Sequence, residues 1–304
     1  MLDDFEPLEV IGTGTYGKVK LVRKRDSGAL FAMKVIHTKK LANHVASALT
    51  EHNILSKLNH PFIVKLHYSF IQGSKLYFLL EYCEGGELYL RLRQIGPLAE
   101  PAARFCAACV VLALECLHKN KILYRDLKPE NVLIDAAGFL KLADFGLSKD
   151  LGSDSSAKSF CGTLEYLAPE IFRGEHYGAP ADWWALGCLV FEMLAGAPPF
   201  LADTKAELCD MVLTESVELP SRASPVARHF LRMLLKKNPG KRLGSADDAQ
   251  EVKRHPWFAQ INWTALYERC CTSPLNSSAC GEETLLSPAG VTFRPVDLFH
   301  HTYA

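Results

Sequence analysis

Neither sign of charge is in excess in this 304-residue chain, where 34 Lys plus Arg balance 34 Asp plus Glu. Without a basic surplus there is no general electrostatic footprint for nucleic acid and no polybasic patch for an anionic membrane, so recognition has to rest on local charge. A basic-then-apolar leader is missing as well, since the chain opens on the acidic Met1-Leu-Asp-Asp-Phe-Glu, and no secretory or transit segment is expected. Long apolar runs are scarce. The longest, Phe105 to Leu117 and Trp183 to Leu194, read as too short or interrupted to span a bilayer. Ten cysteines are scattered, mostly inside apolar helical patterns, without the paired Cys-x-x-Cys sets expected of zinc. The expectation is a soluble intracellular protein, cytoplasmic or nuclear, with reduced thiols and neither a membrane nor a nucleic-acid partner.

What is present is an ordinary globular composition, 48% hydrophobic, at a length that suits two domains or one two-lobed domain. From Phe5 to Ile36 apolar residues mostly alternate, with turn chemistry at Asp26-Ser27-Gly28, which reads as antiparallel strands. The first turn holds Gly12-Thr13-Gly14-Thr15-Tyr16-Gly17-Lys18-Val19. Its glycines let backbone amides approach phosphate oxygens with no Cβ in the way. A Gly-x-Gly-x-x-Gly also fits a dinucleotide turn, but a helix follows it there, whereas Val19-Lys-Leu-Val-Arg continues as a strand.

Ala32 and Lys34 fall two apart on one strand and so share a face. A strand lysine is usually a solvated edge charge, yet this one is flanked by Phe31, Ala32, Met33, Val35 and Ile36 and needs a partner. Glu51 is that partner, in a helix predicted over Val45 to Lys57 with Ala48, Glu51, Ile54 and Leu55 at helical spacing; no cation at position 47 or 55 gives it a local pair. Alternating runs from Val64 to Phe70 and from Leu76 to Leu80 complete five strands, before the extended Glu81-Tyr82-Cys83-Glu84-Gly85-Gly86. The stretch from Pro101 to Asn120 is apolar on most sides and reads as a buried helix.

The stretch Tyr124-Arg125-Asp126-Leu127-Lys128-Pro129-Glu130-Asn131 brings a base, a cation and a metal ligand together. An Asp-Leu-Lys taken alone also fits any turn, so its companions decide the reading. They are Asp144-Phe145-Gly146, a carboxylate suited to magnesium, then a polar segment from Gly152 to Ser159 too poor in apolar residues to pack by itself, then Ala168-Pro169-Glu170. Together they fit phosphoryl transfer, which is driven by positioning and charge neutralisation.

In this order, over about residues 5 to 263, the motifs resemble the catalytic domain of the AGC serine/threonine protein kinases, the group of the cyclic-AMP-dependent kinase. Tyr124 in place of the usual leading His points to that group. Leu142 to Lys149, Ser159-Phe-Cys-Gly-Thr163 and Ile261-Asn-Trp263 are most similar to the ribosomal-protein kinases and the mitogen- and stress-activated kinases. The resemblance implies an α+β, bilobal kinase fold, with an antiparallel-sheet N-lobe at 1–81, a hinge at 81–86, a mainly helical C-lobe at 82–263 containing an activation loop at 144–170, and a shortened tail at 264–304. It implies ATP and Mg2+ as cofactors. Gly12, Thr13, Gly14, Thr15, Tyr16 and Gly17 would cover the phosphates, Val19, Ala32 and Leu133 would enclose adenine, and Leu80, Glu81 and Cys83 would stand at the hinge. Lys34, paired to Glu51, would grip the α- and β-phosphates, with Asn131 and Asp144 on the metal. Asp126 would accept or orient the substrate hydroxyl proton, Lys128 would steady the γ-phosphate, and Thr163 would close the site and favour Ser/Thr acceptors.

The same resemblance assigns Glu87, Glu130 and Glu192 to a groove for arginines upstream of the acceptor in protein substrates, and Phe160, Leu164 and Leu167 to a pocket for an apolar residue after it. Ser159, facing Arg125 and Lys149, would be the phosphosite of an upstream activating kinase, and Arg242 would pair with Glu170. Two stacks are implied, one of Leu55, Leu66, Tyr124 and Phe145, the other of Val19, Ala32 and Leu133 joined by adenine. The tail departs most from the group: after Leu266 come Cys270-Cys271, Ser277-Ser278 and Cys280, then Phe293-Arg294-Pro295 and Phe299 to Tyr303, with no residues left for the later Phe-x-x-Phe-Ser/Thr-Tyr motif. A donor of that motif is therefore expected to dock in trans beside the helix bearing Glu51, unless the short segment before that helix closes the pocket. Two other functions fit parts of the pattern, a pseudokinase scaffold and a nucleotide-binding metabolic enzyme, though the latter would have no use for an activation loop or Ala168-Pro169-Glu170.

Overall fold

Alternation in the first third of the chain folds as it reads. The structure, a computed structural model, describes residues 2–14, 17–37 and 42–276; Thr15, Tyr16 and the tail landmarks Phe293, Phe299 and Tyr303 lie outside the described residues. Strands β1 (Phe5–Gly14), β2 (Gly17–Lys24), β3 (Leu30–His37), β4 (Leu66–Gln72) and β5 (Lys75–Glu81) form one antiparallel sheet in the order β1-β2-β3-β5-β4. Helix α1 (Ala42–Lys57) packs on one face of it. This helix starts three residues before the expected Val45, since Ala42, Asn43 and His44 hold no breaker that would stop it. β4 starts at Leu66 and not at Val64. Phe62, Ile63 and Val64 are instead buried, with the Val64 N–H donating to the Leu142 carbonyl (2.9 Å), so they belong to the contact between the lobes.

Directly opposed residues of antiparallel strands share a face. Val19 opposes Lys34, Leu21 opposes Ala32, Ala32 opposes Leu80 and Lys34 opposes Phe78, which assigns all six to the underside. The other face is closed by Phe5, Val22, Phe31, Met33, Tyr77 and Leu79 as a separate apolar cluster. The underside is thus left to α1 and to whatever lies in the seam below.

The remainder is mainly helical. After the short strand β6 (Gly86–Glu87) come α2 (Leu88–Ile95) and α3 (Glu100–Lys119), then β7 (Ile122–Leu123), β8 (Val132–Ile134), β9 (Leu140–Leu142) and β10 (Lys149–Asp150). Helices α4 (Pro169–Phe172), α5 (Ala179–Ala195), α6 (Lys205–Thr214), α7 (Pro225–Leu234), α8 (Asp248–Lys253) and α9 (Trp263–Tyr267) follow. The architecture is α+β, a sheet lobe over a helical lobe, as expected. At 20 residues α3 is longer than the apolar run suggested and reaches membrane-spanning length and hydropathy, but 72% of that window is buried inside the lobe. One continuous core runs from Ile54 and Leu55 of α1 through Phe62, Tyr124 and Phe145 into α3, α5 and α7; it contains Leu55, Tyr124 and Phe145 of the first expected stack, with Leu66 packed against it. Tyr124 and Phe145 meet edge to face at 5.3 Å.

At the base of that core sits a feature that motif reading missed. Asp182 on α5 is buried and accepts from the backbone N–H groups of Tyr124 and Arg125, both at 2.9 Å. His118 on α3 lies 2.9 Å from Asp182 through Nε2 and 2.9 Å from Asp248 through Nδ1. Burial opposes a charge on His118, but the two carboxylates outweigh it and raise its pKa to about 9. A folded pKa above the ordinary 6.5 means that the stabilisation, ~3 kcal/mol, is complete below pH 6.5 and is lost as pH rises through 9. Thermal melting of the wild-type chain is expected to fall between pH 7 and pH 9 more steeply than that of His118→Gln. Parallel pH profiles would show that this imidazole is not charged in the folded state.

Candidate active site

Lys34 points from the underside of β3 to both carboxylate oxygens of Glu51 on α1, at 2.9 and 2.7 Å, and to Asp144 Oδ1 at 3.1 Å. Burial disfavours its charge, but Asp144 and Glu51 more than compensate and hold it above its ordinary range. Asp144 is pulled below the usual carboxylate range chiefly by Lys34. Glu51 is pushed up by burial, against the attraction of Lys34. The 2.7 Å contact and the raised lysine argue that the ammonium stays charged between two carboxylates. Asp144 adopts a left-handed φ of 51°, which a carboxylate tolerates better than a branched side chain. The Ser47 hydroxyl of α1 donates to the Gly146 carbonyl, so helix and loop are joined twice.

Above this pair lies the glycine-rich turn. Gly12 opposes Val19, Thr13 opposes Lys18 and Gly14 opposes Gly17. Gly17 has φ 151°, and a Cβ there would stand 1.9 Å from the Val35 carbonyl oxygen, so no other residue fits without moving β3. Ala32 and Leu80 oppose each other beneath the sheet, Glu81 ends β5, and Cys83 follows it, buried, its thiol pushed up to about 12 by burial. Leu133, on β8, stands in the ribbon on the other side of the seam.

The catalytic-loop candidates close on one another. Asp126 Oδ1 accepts from the Thr163 hydroxyl (2.9 Å) and backbone N–H (3.1 Å), while Asn131 Nδ2 donates to Asp126 Oδ2 at 2.7 Å and to its carbonyl at 2.8 Å. Lys128 Nζ reaches Thr163 Oγ1 at 2.7 Å and Asp126 Oδ2 at 3.3 Å. Gly162 lets the two segments approach: with φ 112°, a Cβ there would sit 2.6 Å from the Arg125 carbonyl oxygen. The Tyr124 hydroxyl donates to the Ala143 carbonyl, tying this loop to the residue before Asp144.

The three acidic candidates also gather. Burial and then Glu130 raise Glu87, and burial raises Glu192 to about 7, with the Glu130 and Glu165 charges adding to it and the Tyr166 hydroxyl opposing. Glu130 Oε2 is buried with no hydrogen-bond partner among the described residues. An acidic oxygen in that condition fits a guanidinium. Phe160 is exposed, edge-on to Phe172 at 5.9 Å, with the Lys205 ammonium 4.5 Å from its ring; Leu164 is half-buried and Leu167 fully buried.

Ser159 Oγ accepts from Arg125 Nη1 at 2.5 Å. Lys149, the other cation expected there, pairs with Asp154 at 3.9 Å. Tyr177, which belongs to none of the motifs, stands beside Ser159 instead, donating from its hydroxyl to the Ser159 carbonyl at 2.8 Å. Glu170 and Arg242 form the expected pair, doubly bonded at 2.7 and 2.8 Å. A cavity of about 420 Å³ lies outside the seam, between Leu201 and Glu215 along α6, and holds none of these groups.

A five-stranded sheet with one helix set over a helical lobe, with a lysine–carboxylate pair above the seam and an Asp-Lys-Asn loop below it, is the architecture of the protein kinases. Residues 5–258 match the protein kinase domain family, and the chain belongs to that family, within its AGC group. It is 44% identical over 275 residues to a RAC family serine/threonine-protein kinase homolog of Dictyostelium discoideum, a match covering 89% of this chain and 61% of the relative. It is likewise 44% identical over 289 residues to the human serine/threonine-protein kinase Sgk1, covering 93% of this chain and 66% of that protein. Human ribosomal protein S6 kinase alpha-2 is 44% identical over 303 residues, covering 97% of this chain and 39% of that protein. The chain thus spans between about two fifths and two thirds of the length of these relatives.

Proposed function

We propose that this chain transfers the γ-phosphoryl group of ATP to serine and threonine hydroxyls in arginine-rich protein sequences. The observation that carries the reading is the cluster of Asp126, Lys128, Asn131 and Thr163, in which a base, a cation and an amide are held within hydrogen-bond reach of one another. Asp126 would take or orient the proton of the acceptor hydroxyl. Lys128 would meet charge developing on the transferred group, and Lys34, held by Glu51, would place the preceding phosphates. Asp144, kept ionised by Lys34, and Asn131, which spends its amide N–H groups on Asp126 and keeps its side-chain oxygen for a cation, fit a magnesium ion. When bound there, such an ion would supply positive charge against the phosphates. Residues 1–81 would serve as N-lobe, 82–263 as C-lobe and 264–304 as tail, in the cytoplasm or nucleus. Transfer of label from γ-labelled Mg-ATP to a basic serine peptide tests the reading. Nucleotide-dependent thermal stabilisation without any transfer would favour the pseudokinase alternative.

Arginine selection has a pH signature. Glu192, with its pKa near 7, loses its charge as pH falls through that value, so KM for an arginine-rich peptide is expected to rise several-fold between pH 7.5 and 6, with KM for ATP little changed. Glu192→Gln should raise that KM at pH 7.5 and flatten the profile. A peptide KM flat across this range in the wild type would remove Glu192 from substrate recognition.

Activation would come from an upstream kinase acting on Ser159. A phosphate there adds about 1.5 to 2 negative charges beside the Arg125 guanidinium, one residue before the catalytic Asp126. Phosphorylated wild type is expected to exceed Ser159→Ala in kcat/KM by at least tenfold. Equal rates would mean that the loop is set without phosphate.

A further inference from the structure

We propose that Lys141 is a positioning residue that holds the adenine end of the nucleotide site, by fixing Glu81 of the hinge to the strand that leads into Asp144. This rests on the ATP-dependent reading above and adds how the nucleotide is kept in register with the chemistry.

Lys141 lies on β9 between Leu140 and Leu142, and like them it is buried. Its Nζ stands 3.0 Å from Glu81 Oε1. Register sets the direction of its side chain. Lys141 opposes Leu133 on β8, and opposed residues share a face, so Lys141 rises on the side of the ribbon that carries the residue assigned to adenine. Leu142, one residue on, is on the other face, in the continuous core.

Two segments at the seam between the lobes, 62–65 and the hinge residue Glu81, are tied to this strand. The Leu142 N–H donates to the Phe62 carbonyl and the Val64 N–H to the Leu142 carbonyl, each at 2.9 Å. The Glu81 N–H in turn donates to the Lys65 carbonyl at 2.8 Å, and the Lys65 N–H reaches Glu81 Oε2 at 3.4 Å. Strand β9, the segment 62–65 and Glu81 therefore form one bonded series across the lobes, which the Lys141–Glu81 pair closes through side chains. The residues that follow Lys141 on the same backbone are Leu142, Ala143 and Asp144.

Stability alone accounts poorly for a cation here. A buried ion pair adds little over well-packed apolar side chains of the same volume, and Leu140, Leu142 and Ala143 show how apolar the strand otherwise is. What the pair does supply is direction. Without the ammonium, the Glu81 carboxylate, which is 28% exposed, turns to water and releases the backbone between Glu81 and Cys83 from its fixed distance to Asp144. Adenine is then held less well, while the Asp126, Lys128 and Thr163 cluster is untouched.

The experiment measures steady-state kinetics on the full chain for wild type, Lys141→Met, Lys141→Arg, Glu81→Gln and the Glu81→Gln/Lys141→Met double variant, with a thermal melt of each. Lys141→Met is expected to raise KM for ATP about tenfold, equivalent to about 1.4 kcal/mol. Its kcat at saturating ATP and its KM for peptide should stay within twofold of wild type. Lys141→Arg should restore most of the ATP KM, and the double variant should be no worse than the poorer single one, because both substitutions break the same contact. If Lys141→Met does not fold, Glu81→Gln carries the same expectation. An unchanged ATP KM in a folded variant overturns the proposal. So does an equal loss in kcat and peptide KM, which marks general loosening, and so do additive effects in the double variant. Wild type that transfers no phosphate would sink the phosphotransferase reading and this inference together; active wild type with an indifferent Lys141 would sink the inference alone.

Discussion

Asp126→Asn is expected to lower kcat by about 10²- to 10⁴-fold, the range in which a positioned general base acts. Asparagine keeps the size and one acceptor oxygen, so the bonds from Thr163 and its N–H at 2.9 and 3.1 Å retain a partner and the loop keeps its shape. What goes is the basic oxygen, and with it the negative charge facing Lys128 at 3.3 Å and the acceptor of the 2.7 Å bond from Asn131 Nδ2, which keeps its bond to the Asp126 carbonyl at 2.8 Å. The loss should therefore fall on kcat, with KM for ATP and thermal stabilisation by Mg-ATP within about twofold of wild type, because Lys34, Glu51 and Asp144 do not depend on Asp126. Rapid-quench measurement of a single turnover separates this chemical defect from slow product release. A variant that kept a tenth or more of wild-type kcat would show that Asp126 is not the base, and the phosphoryl-transfer reading would lose the residue it leans on most.

How much of this was legible beforehand depends on whether a residue's reason lay close by in sequence. Lys34 announced itself because an ammonium among Phe31, Met33, Val35 and Ile36 has to find a carboxylate, and Glu51 lay on a helix with no nearer cation to claim it. That Asp144 would share the same ammonium was not legible, because it depends on a left-handed φ at Asp144 and a turn folded back beneath α1. The late start of β4 was missed because Val64 is buried with Phe62 and Ile63, which serve the core shared by both lobes, and reads in sequence like the first apolar residue of the strand. His118, Asp182 and Asp248 were invisible as a group. They come from three helices, separated by 64 and 66 residues, and nothing in local periodicity links them. Asp182 alone left a trace, an acid at the head of the apolar Trp183-Trp184-Ala-Leu run, where a buried carboxylate must find donors. Lys141 left the same kind of trace in Leu140-Lys-Leu-Ala, and a rule that every charge inside an apolar run needs a named partner would have found both.

Arg242 carries the largest expected effect on stability. Its guanidinium has no exposed surface and forms two parallel bonds to Glu170, itself 1% exposed, at 2.7 and 2.8 Å. It also donates to the carbonyls of Pro180 (2.7 Å) and Lys236 (3.0 Å) and stacks 5.2 Å from the Trp184 ring. Glu170 lies on α4, just before α5, so this pair anchors the far end of the segment whose near end is Asp144. Glu170→Ala leaves a buried cation without its counter-charge, which costs about 3 to 5 kcal/mol. At roughly 2 to 4 °C per kcal/mol for a chain of a few hundred residues, melting should fall by on the order of 10 °C. Arg242→Met should do the same by stranding Glu170. Removing both charges removes the penalty with the attraction, so Glu170→Leu/Arg242→Met is expected to melt above either single variant, nearer to wild type, while its activity stays low because the segment has lost its directional anchor. Thermal and urea melts of the four proteins decide this. Additive losses, with the double variant the least stable of all, would mean that the two side chains act on the fold separately and that the pair is not what fastens the segment 144–170 to the helical lobe.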